Sequence, residues 1–291
     1  MSHIPVLLET ILDNLNLSKG EFVIDGTVNG GGHAEKFSQC IGPSGRLLGV
    51  DLDEDMLAKT RKKLSGKNIF LVQGNYADLP EILEENKLGK ADALLLDLGF
   101  SSNQLESGRG FAFSGETNEP ILMTYDKNAE PLSKILQKLN VRDLEKIIRE
   151  YGGERMAGRV AKAIKNNLQK IKGSHDLARV VSDALPRSYE RGRIHPATRT
   201  FQALRIYVNG ELENLKIVLG SLAKIIRPGG RVAIISFHSL EDKIVKDYFR
   251  EAKKKGELEI LTKKPLVATR EESRENPRSR SAKLRIAKLI K

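Results

Sequence analysis

The stretch Phe22-Val-Ile-Asp-Gly-Thr-Val-Asn-Gly-Gly-Gly-His33 decides the fold of this chain. An apolar strand ends on Asp25 and runs into a loop with glycine at 26, 30, 31 and 32, where a ligand can lie against bare backbone. A second predicted strand ends on Asp51, 18 residues past His33. At that spacing, α/β nucleotide sites place a carboxylate against ribose hydroxyls. The glycine loop and the second strand-end acid together indicate an adenosine-containing cofactor.

The motifs that the loop lacks narrow the choice of cofactor. It has neither the G-x-G-x-x-G of dinucleotide sites nor the terminal Gly-Lys-Ser/Thr of a P-loop, both of which serve phosphates. Two strand-end acids with a glycine cluster fit S-adenosylmethionine, which carries no phosphate. The alternative is a tight β–α turn that needs glycine only for positive φ.

The first third of the chain alternates predicted strands and helices. The strands are continuous apolar runs, which is typical of parallel strands covered on both faces. We therefore predict an α/β fold with a parallel, doubly wound sheet. The predicted strands are Glu21–Asp25, Arg46–Asp51, Ile69–Gln73 and Ala91–Asp97, and the helices are Ala34–Cys40 and Glu54–Leu64.

A long segment separates the fourth strand from the next one, Gly230–Phe237. A single crossover helix cannot occupy that length, so an insertion is expected. Its first part, Ser101–Asp126, is predicted to be a loop that wraps the site. Apolar residues at three- and four-residue spacing then predict a small helical domain, followed by one or two helices over Thr198–Ile226. We assign 1–127 and 208–291 to the cofactor domain and 128–207 to the inserted domain.

The C-terminal segment is predicted to form two strands, Leu258–Thr262 and Ala282–Ile290, joined by the polar stretch Lys263–Ser281. The sequence leaves open whether this stretch is ordered without a partner, because it is charged and poor in apolar residues.

Charge and cysteine content limit the class of protein. The chain has 49 Lys and Arg against 38 Asp and Glu, a net charge of +11, which favours a polyanionic partner such as nucleic acid. The single cysteine, Cys40, excludes a disulfide framework and suits a reducing compartment. There is neither a signal-like start nor a run of about 20 apolar residues. We expect a cytoplasmic protein with no membrane partner.

Candidate site residues gather where the predicted strands end. Ligands bind beyond the carboxyl ends of the strands in an open parallel sheet, and Asp25, Asp51 and Asp97 all lie at such ends. Tyr76 is suited to lie against an adenine face, and Gln104 to reach the cofactor from the loop. The alternative for Asp97 is an acid that caps the following turn.

The cysteine also bears on the methyl acceptor. Methylation of cytosine C5 needs a cysteine nucleophile, but Cys40 falls at the end of a helix far in sequence from Asp97. An exocyclic amine needs only acceptors for its N–H groups and alignment with the donor, which a carboxylate at Asp97 provides. Transfer of the methyl group to nitrogen therefore fits the sequence better than transfer to carbon.

No metal site is expected, because the five histidines lack metal-binding spacing. Arginines cluster in Arg187–Arg205, where Glu190 is the only acid, and this clustering suits phosphate contacts. A solvated helix end is the alternative.

Several blocks, in this order along the chain, resemble the bacterial ribosomal RNA small-subunit methyltransferase H family, also called the MraW family. The resemblance covers nearly the whole chain. The blocks are His3–Leu8, Gly30–His33, Asp97–Ser102 with Gln104 and Arg109–Phe111, Arg193–Arg205, Ser236–Asp242 and Asn276–Arg285.

The resemblance implies the Rossmann-like sheet of a class I S-adenosylmethionine methyltransferase, and methyl transfer from S-adenosylmethionine to N4 of a cytidine in 16S rRNA within the 30S subunit. The chemistry of an amine acceptor makes Asp97 the predicted catalytic residue. The resemblance also implies that the inserted helical domain helps to recognise the RNA. The implied cofactor contacts are Gly31, Gly32, His33, Asp51, Tyr76, Asp97 and Gln104. For the substrate RNA we predict contacts by Arg193, His195, Arg199, Arg278 and Arg280.

One stretch departs from the family pattern. Where the family usually has an Asp-Met-Arg-Met-Asp-like run, this chain has Leu122-Met-Thr-Tyr-Asp126, preceded by Asn118-Glu119 in place of the common Asp-Gly. The effect of this change stays open, as do the methylated nucleotide and the oligomeric state, including a homodimer. Two other functions stay open too: an amino-methyltransferase acting on DNA or protein, and a non-catalytic ribosome assembly factor with the same fold.

Overall fold

A computed structural model describes most of the chain. It covers residues 5–99, 102–105, 107–113, 117–186, 188–189 and 194–291. No helix in these ranges combines the length and the apolar character that crossing a lipid bilayer requires.

The chain forms two compact units, residues 1–99 with 212–291 and residues 100–211. These bounds differ from the predicted division at 127/128 and 207/208. The reason lies in the loop after the fourth strand, where Phe111, Ile121 and Met123 bury their side chains in the core of the second unit.

A seven-stranded sheet organises the first unit. Its order is β3-β2-β1-β4-β5-β7-β6, in which β1 to β5 are parallel and β7 is antiparallel to both its neighbours. The predicted Rossmann-like α/β sheet is confirmed. The strands are β1 (Phe22–Asp25), β2 (Arg46–Asp51), β3 (Ile69–Gln73), β4 (Ala91–Asp97), β5 (Ile226–Ser236), β6 (Leu258–Ile260) and β7 (Lys283–Leu289).

Each face of the sheet buries its own apolar layer. Ile24 and Leu94 lie in one layer, whereas Val23 and Leu95 lie in the other, because successive side chains of a strand point to opposite faces. All seven residues of β4 are buried, as the continuous apolar run predicted. The sheet thus fixes Asp25, Asp51 and Asp97 at the last positions of their strands.

Helices of the first unit cover the sheet. Four of them, α1, α4, α13 and α14, were not predicted from the sequence. The helices are α1 (Leu8–Leu15), α2 (Gly32–Ile41), α3 (Glu54–Lys63), α4 (Leu79–Glu85), α11 (Glu211–Gly220), α12 (Leu222–Ile225), α13 (Ser239–Lys254) and α14 (Arg270–Glu275).

Amphipathic helices form the second unit, as predicted. In α7 the Asn140 side chain caps the start by accepting from Asp143 N, and Gly153, at φ 64°, ends the helix. The helices are α5 (Ser102–Leu105), α6 (Leu132–Lys138), α7 (Val141–Gly152), α8 (Ala157–Asn166), α9 (Ser174–Asp183) and α10 (Thr198–Asn209).

The stretch 263–281 adopts regular structure in this chain. It contains α14 and a 3₁₀ turn, Pro277–Ser281, between β6 and β7. The Glu272 side chain of α14 accepts a hydrogen bond of 2.6 Å from Leu7 N. Residues near the two ends of the chain are therefore tied together.

Candidate cofactor and active site

The loop after β1 is held by the carboxylate of Asp51. Asp51 Oδ2 accepts from Asn29 N at 2.9 Å, and Oδ1 accepts from Asp53 N at 2.9 Å. Asn29 has φ 45°, in the left-handed region, so the loop needs this support. Asp51 thus shapes the glycine loop.

The glycines of the loop meet different surroundings. A Cβ on Gly31 would lie 3.0 Å from Thr60 Cγ2, and one on Gly32 would lie 2.7 Å from Pro5 Cγ. A Cβ on Gly30 would meet nothing within 4 Å. Gly31 and Gly32 therefore have packing reasons to be glycine, whereas Gly30 borders open space. The main chain at Gly30 is fixed by Lys63 Nζ, which donates to its carbonyl at 2.9 Å.

Asp97 is fixed by the same loop. Its backbone N donates to Thr27 Oγ1 at 2.6 Å, and Asn29 Nδ2 donates to the carbonyl oxygens of Asp97 at 3.4 Å and Gly99 at 3.3 Å. The Asp97 side chain also accepts from Gly99 N at 3.4 Å. Asp97 therefore does cap the turn that follows it, besides standing at the strand end.

Burial raises the pKa of Asp97 to about 7. This pKa is the net result of burial, which is the largest effect, of the Gly99 N–H, which lowers it, and of the charges of Glu241, which raises it, and Arg278, which lowers it. A carboxyl group at this pKa changes from neutral to ionised near neutral pH, which suits a group that exchanges protons with a substrate.

Asp25 is the second perturbed acid. Burial raises its pKa to about 8; the Thr27 N–H opposes this, and the charges of Asp97 and Asp51 add to it. Its Oδ1 accepts from Thr27 N at 3.2 Å, and the Ala34 N–H also acts on the carboxyl group and lowers its pKa. The side chain is fully buried, so its carboxyl group is neutral at pH 7.

The pKa of Asp97 gives an expected pH profile. Asp97 is neutral below about pH 7 and ionised above it, and only the ionised form accepts hydrogen bonds at both oxygens. We expect kcat/KM for methyl transfer to rise between pH 6 and 8 with an apparent pKa near 7. Initial rates at subsaturating acceptor over that range test this. A flat profile would contradict a role for the ionised carboxylate.

His33 lies beside Asp97 in the interior. Its side chain is 5% exposed, Nε2 donates to Val6 O at 3.0 Å, and Nδ1 lies 3.9 Å from Asp97 Oδ2. With Val6 O as acceptor, Nε2 carries the proton and Nδ1 faces the carboxyl group. The structure thus joins His33, Asp97 and the loop in one cluster.

The other two expected cofactor residues lie in different units. Tyr76 is the first residue of a 3₁₀ turn after β3. A Cβ added to Gly26 would lie 3.4 Å from the Cβ of Tyr76, so Tyr76 adjoins the start of the glycine loop. Gln104 belongs to α5 in the second unit, is 3% exposed, and its carbonyl accepts from the Ser107 hydroxyl at 2.6 Å.

The residues expected to contact RNA are also divided between the two units. In the second unit, the exposed His195 packs its ring 4.6 Å from that of Phe113, and Arg199 is half-buried in α10. In the first unit, Arg278 influences Asp97, and the exposed Arg280 donates to Ser273 O at 3.2 Å. Arg193 lies outside the described residues.

The stretch that departs from the family pattern has structural contacts in the second unit. Asn118 Oδ1 accepts from His175 N at 2.9 Å, and its Nδ2 donates to Asp176 Oδ2 at 2.8 Å, at the start of α9. Glu119 Oε2 accepts from Gly110 N at 2.9 Å. Here the asparagine and glutamate hold the loop together.

Sequence reasoning missed three residues around Asp97. Thr27 and Asn29 lie inside the quoted loop, but their partners follow only from the register of β1 and β4. Glu241 closes a capping box with His238 at the start of α13, and the His-x-x-Glu spacing was the available signal.

The sheet order, with antiparallel β7 inserted between β5 and β6, and the acids that end β1, β2 and β4 define a class I S-adenosylmethionine-dependent methyltransferase. Within this class, the chain belongs to the MraW methylase family, whose model matches residues 1–290.

Several relatives carry the name ribosomal RNA small subunit methyltransferase H. The protein of Thermotoga neapolitana is 44% identical, with 99% of this chain and 96% of that protein covered. The protein of Syntrophus aciditrophicus is 43% identical (99% and 98% covered), and that of Persephonella marina 42% identical (100% of both). Among solved structures, a putative rRNA-methylase from Clostridium thermocellum aligns over 99% of both chains with a TM-score of 0.49 and 10% identity.

Proposed function

We propose that this chain transfers a methyl group from S-adenosylmethionine to the exocyclic N4 of a cytidine in 16S rRNA of the small ribosomal subunit. The observation that carries the proposal is the cluster at the carboxyl edge of the sheet, where Asp97, His33 and the glycine loop meet. Relatives that match over almost their whole length and are named as small-subunit rRNA methyltransferases support this choice of substrate.

The residues at this edge fit the cofactor. Gly30 borders open space against which a ligand can lie. In our proposal, the residues that hold S-adenosylmethionine are Gly31, Gly32, His33, Asp51, Tyr76, Asp97 and Gln104.

Asp97 acts on the acceptor amine in this proposal. S-adenosylmethionine supplies a methyl group activated by a positively charged sulfur. The ionised Asp97 carboxylate accepts a hydrogen bond from the N4 amino group and orients its nitrogen. The nitrogen must lose one proton as it gains the methyl group, and a carboxylate with a pKa of about 7 is a suitable base for it.

The position of Cys40 supports nitrogen over carbon as the acceptor. Cys40 lies eight residues beyond the first residue of α2, which starts at the glycine loop. At about 1.5 Å per residue, the helix carries it roughly 12 Å away from that end. A thiol there does not serve as the nucleophile that C5 methylation needs.

Basic residues of both units are proposed to contact the RNA: Arg193, His195 and Arg199 from the inserted helices, and Arg278 and Arg280 from the C-terminal segment. The proposal needs no metal ion and places the reaction in the cytoplasm, with the 30S subunit. A homodimer is the oligomeric state that we propose to test, by measuring the molar mass of the purified protein with light scattering.

The test compares three acceptors: 30S subunits that lack the mark, naked rRNA and duplex DNA. With labelled S-adenosylmethionine, we expect incorporation into 30S subunits and N4-methylcytidine as the product in nucleoside mass spectrometry. Incorporation only into DNA or protein would refute the RNA assignment. Salt-dependent 30S binding without label transfer would indicate a non-catalytic assembly factor.

A pair of glycine variants tests the cofactor loop. Gly30 (φ +87°) and Gly256 (φ +69°) both border open space, so alanine costs each of them backbone strain of about 1–2 kcal/mol without a clash. We expect Gly30→Ala to raise the Kd for S-adenosylmethionine about tenfold or more and Gly256→Ala to leave it unchanged, as measured by calorimetry. Equal affinities for the two variants would mean that the cofactor does not lie against Gly30.

A further inference from the structure

A basic groove lies on the first unit, between α13 and the chain that follows β6. Five of its nine lining residues are basic and none is acidic. We name it the α13 groove, and it is lined by Lys246, Phe249, Arg250, Ile260, Thr262, Lys263, Lys264, Pro265 and Arg285.

Four of the five cations in the α13 groove form no ion pair with a described residue, although the charge of Arg250 helps to lower the pKa of Glu251. Arg285 Nε donates to Asp242 Oδ1 at 2.7 Å, so an ion pair holds this side chain. The other four cations have neither an ion pair nor a hydrogen bond to any described residue. They are Lys246 and Arg250, one turn apart on α13, and the exposed Lys263 and Lys264. Four unpaired cations in one concave surface attract an anion.

The floor of the α13 groove is made of buried side chains, and its volume is small. Phe249 is 2% exposed and Thr262 7%, and Thr262 Oγ1 accepts from Ile286 N at 2.9 Å. The cavity measures about 190 Å³. This is below the roughly 300–1,000 Å³ of sites that enclose a drug-sized molecule, so the groove suits charged groups of a longer ligand.

The register of the sheet gives the distance between Asp97 and the segment after β6, which contributes Lys263, Lys264 and Pro265 to the groove. Leu266 pairs with Leu284 of β7, Leu284 pairs with Ile235 of β5, and Ile235 pairs with Asp97 of β4. With strands about 4.8 Å apart, three steps give about 14 Å between Leu266 and Asp97. At about 3.4 Å per nucleotide in a stacked strand, that is roughly four nucleotides.

We propose that the α13 groove binds backbone phosphates of the substrate RNA, several nucleotides away from the cytidine held at Asp97. This inference rests on the proposed function for the identity of the strand. The groove contacts phosphates and reads no base, so it sets the position of the RNA strand and not the choice of nucleotide.

The experiment measures the affinity for a fluorescent single-stranded RNA of twelve nucleotides as a function of salt. Each phosphate contact on a single strand contributes about 0.7 to the slope of log K against log salt. For the variant Lys246→Gln/Arg250→Gln/Lys263→Gln/Lys264→Gln we expect the slope to fall by about 2 or more and the affinity at 0.1 M salt to fall at least about tenfold. The variant Lys246→Arg/Lys263→Arg/Lys264→Arg, which keeps the charge, should retain both values.

The matched control is Lys67→Gln/Lys90→Gln. Both lysines are exposed. Lys67 lies two residues before the start of β3 and Lys90 directly before β4, at the opposite ends of the strands from Asp97. The control should lower the slope by less than about 0.7, which is one contact. All variants are checked for an unchanged Kd for S-adenosylmethionine, which reports that the first unit is folded.

A groove variant that binds the cofactor normally and keeps the wild-type salt slope would overturn the inference. So would a groove that binds a polyglutamate peptide more tightly than the RNA. Methyl transfer to 30S subunits is measured separately. If that transfer is absent while the salt slope still depends on the groove, the proposed function fails and the phosphate site stands.

Discussion

Replacing Asp97 with asparagine is expected to lower kcat for methyl transfer by about 10³-fold, because the amide cannot take a proton and accepts at only one atom. The side chain is 6% exposed at the end of a fully buried strand, and asparagine has nearly the same shape, so folding should be preserved. Single-turnover assays with 30S subunits measure the effect.

The same Asp97→Asn variant should bind 30S subunits within about threefold of the wild type, since a residue that acts in the transition state contributes little to ground-state binding. Asp13→Asn, an exposed change on α1, serves as the control and should keep full turnover. Equal losses of turnover and 30S binding in Asp97→Asn would show that the carboxylate only caps its turn.

Replacing Asp51 with alanine is expected to raise the Kd for S-adenosylmethionine about 100-fold. The change removes two hydrogen bonds from an ionised group, to Asn29 N and Asp53 N, each worth about 1.5–3 kcal/mol. Asn29 would then lose the contact that holds its left-handed backbone, and the glycine loop would no longer be preformed. Calorimetric titration with the cofactor measures the loss.

Asp53→Ala is the matched control for Asp51. Asp53 is also a buried acid, two residues along the chain, and it caps α3 by accepting from Asp55 N at 3.1 Å. Its loss should cost about 1 kcal/mol of folding stability and change the Kd for the cofactor less than threefold. If both variants lose affinity alike, general destabilisation and not the loop contact is the cause.

The sequence was sufficient to predict where most strands lie, but not their order in the sheet. The strands at 69–73 and 91–97 have the predicted bounds, because each is a continuous apolar run between polar residues. The predicted strand Gly230–Phe237 begins earlier, at Ile226, and ends at Ser236. The two strands predicted near the C-terminus are present as Leu258–Ile260 and Lys283–Leu289, and the structure shows that they pair antiparallel.

Contacts between residues distant in sequence could not be predicted. The bond from Asp97 N to Thr27 Oγ1 exists because β1 and β4 are neighbours, and the effect of Arg278 on Asp97 exists because the chain returns along β7. The raised pKa of Asp97 follows from burial, which a motif does not specify. The helix α13 could have been found, since His238 and Glu241 form a capping box that precedes an amphipathic run.

The hydrogen bond from Leu7 N to Glu272 Oε1 has a consequence for the folding of the nascent chain. Val6 and Pro5 touch His33 and Gly32 directly, yet the next residue is anchored by a side chain made more than 260 positions later. A chain still emerging from the exit tunnel lacks both that anchor and β7. The residues that contact His33 and Gly32 therefore gain this anchor only after Glu272 has been synthesised.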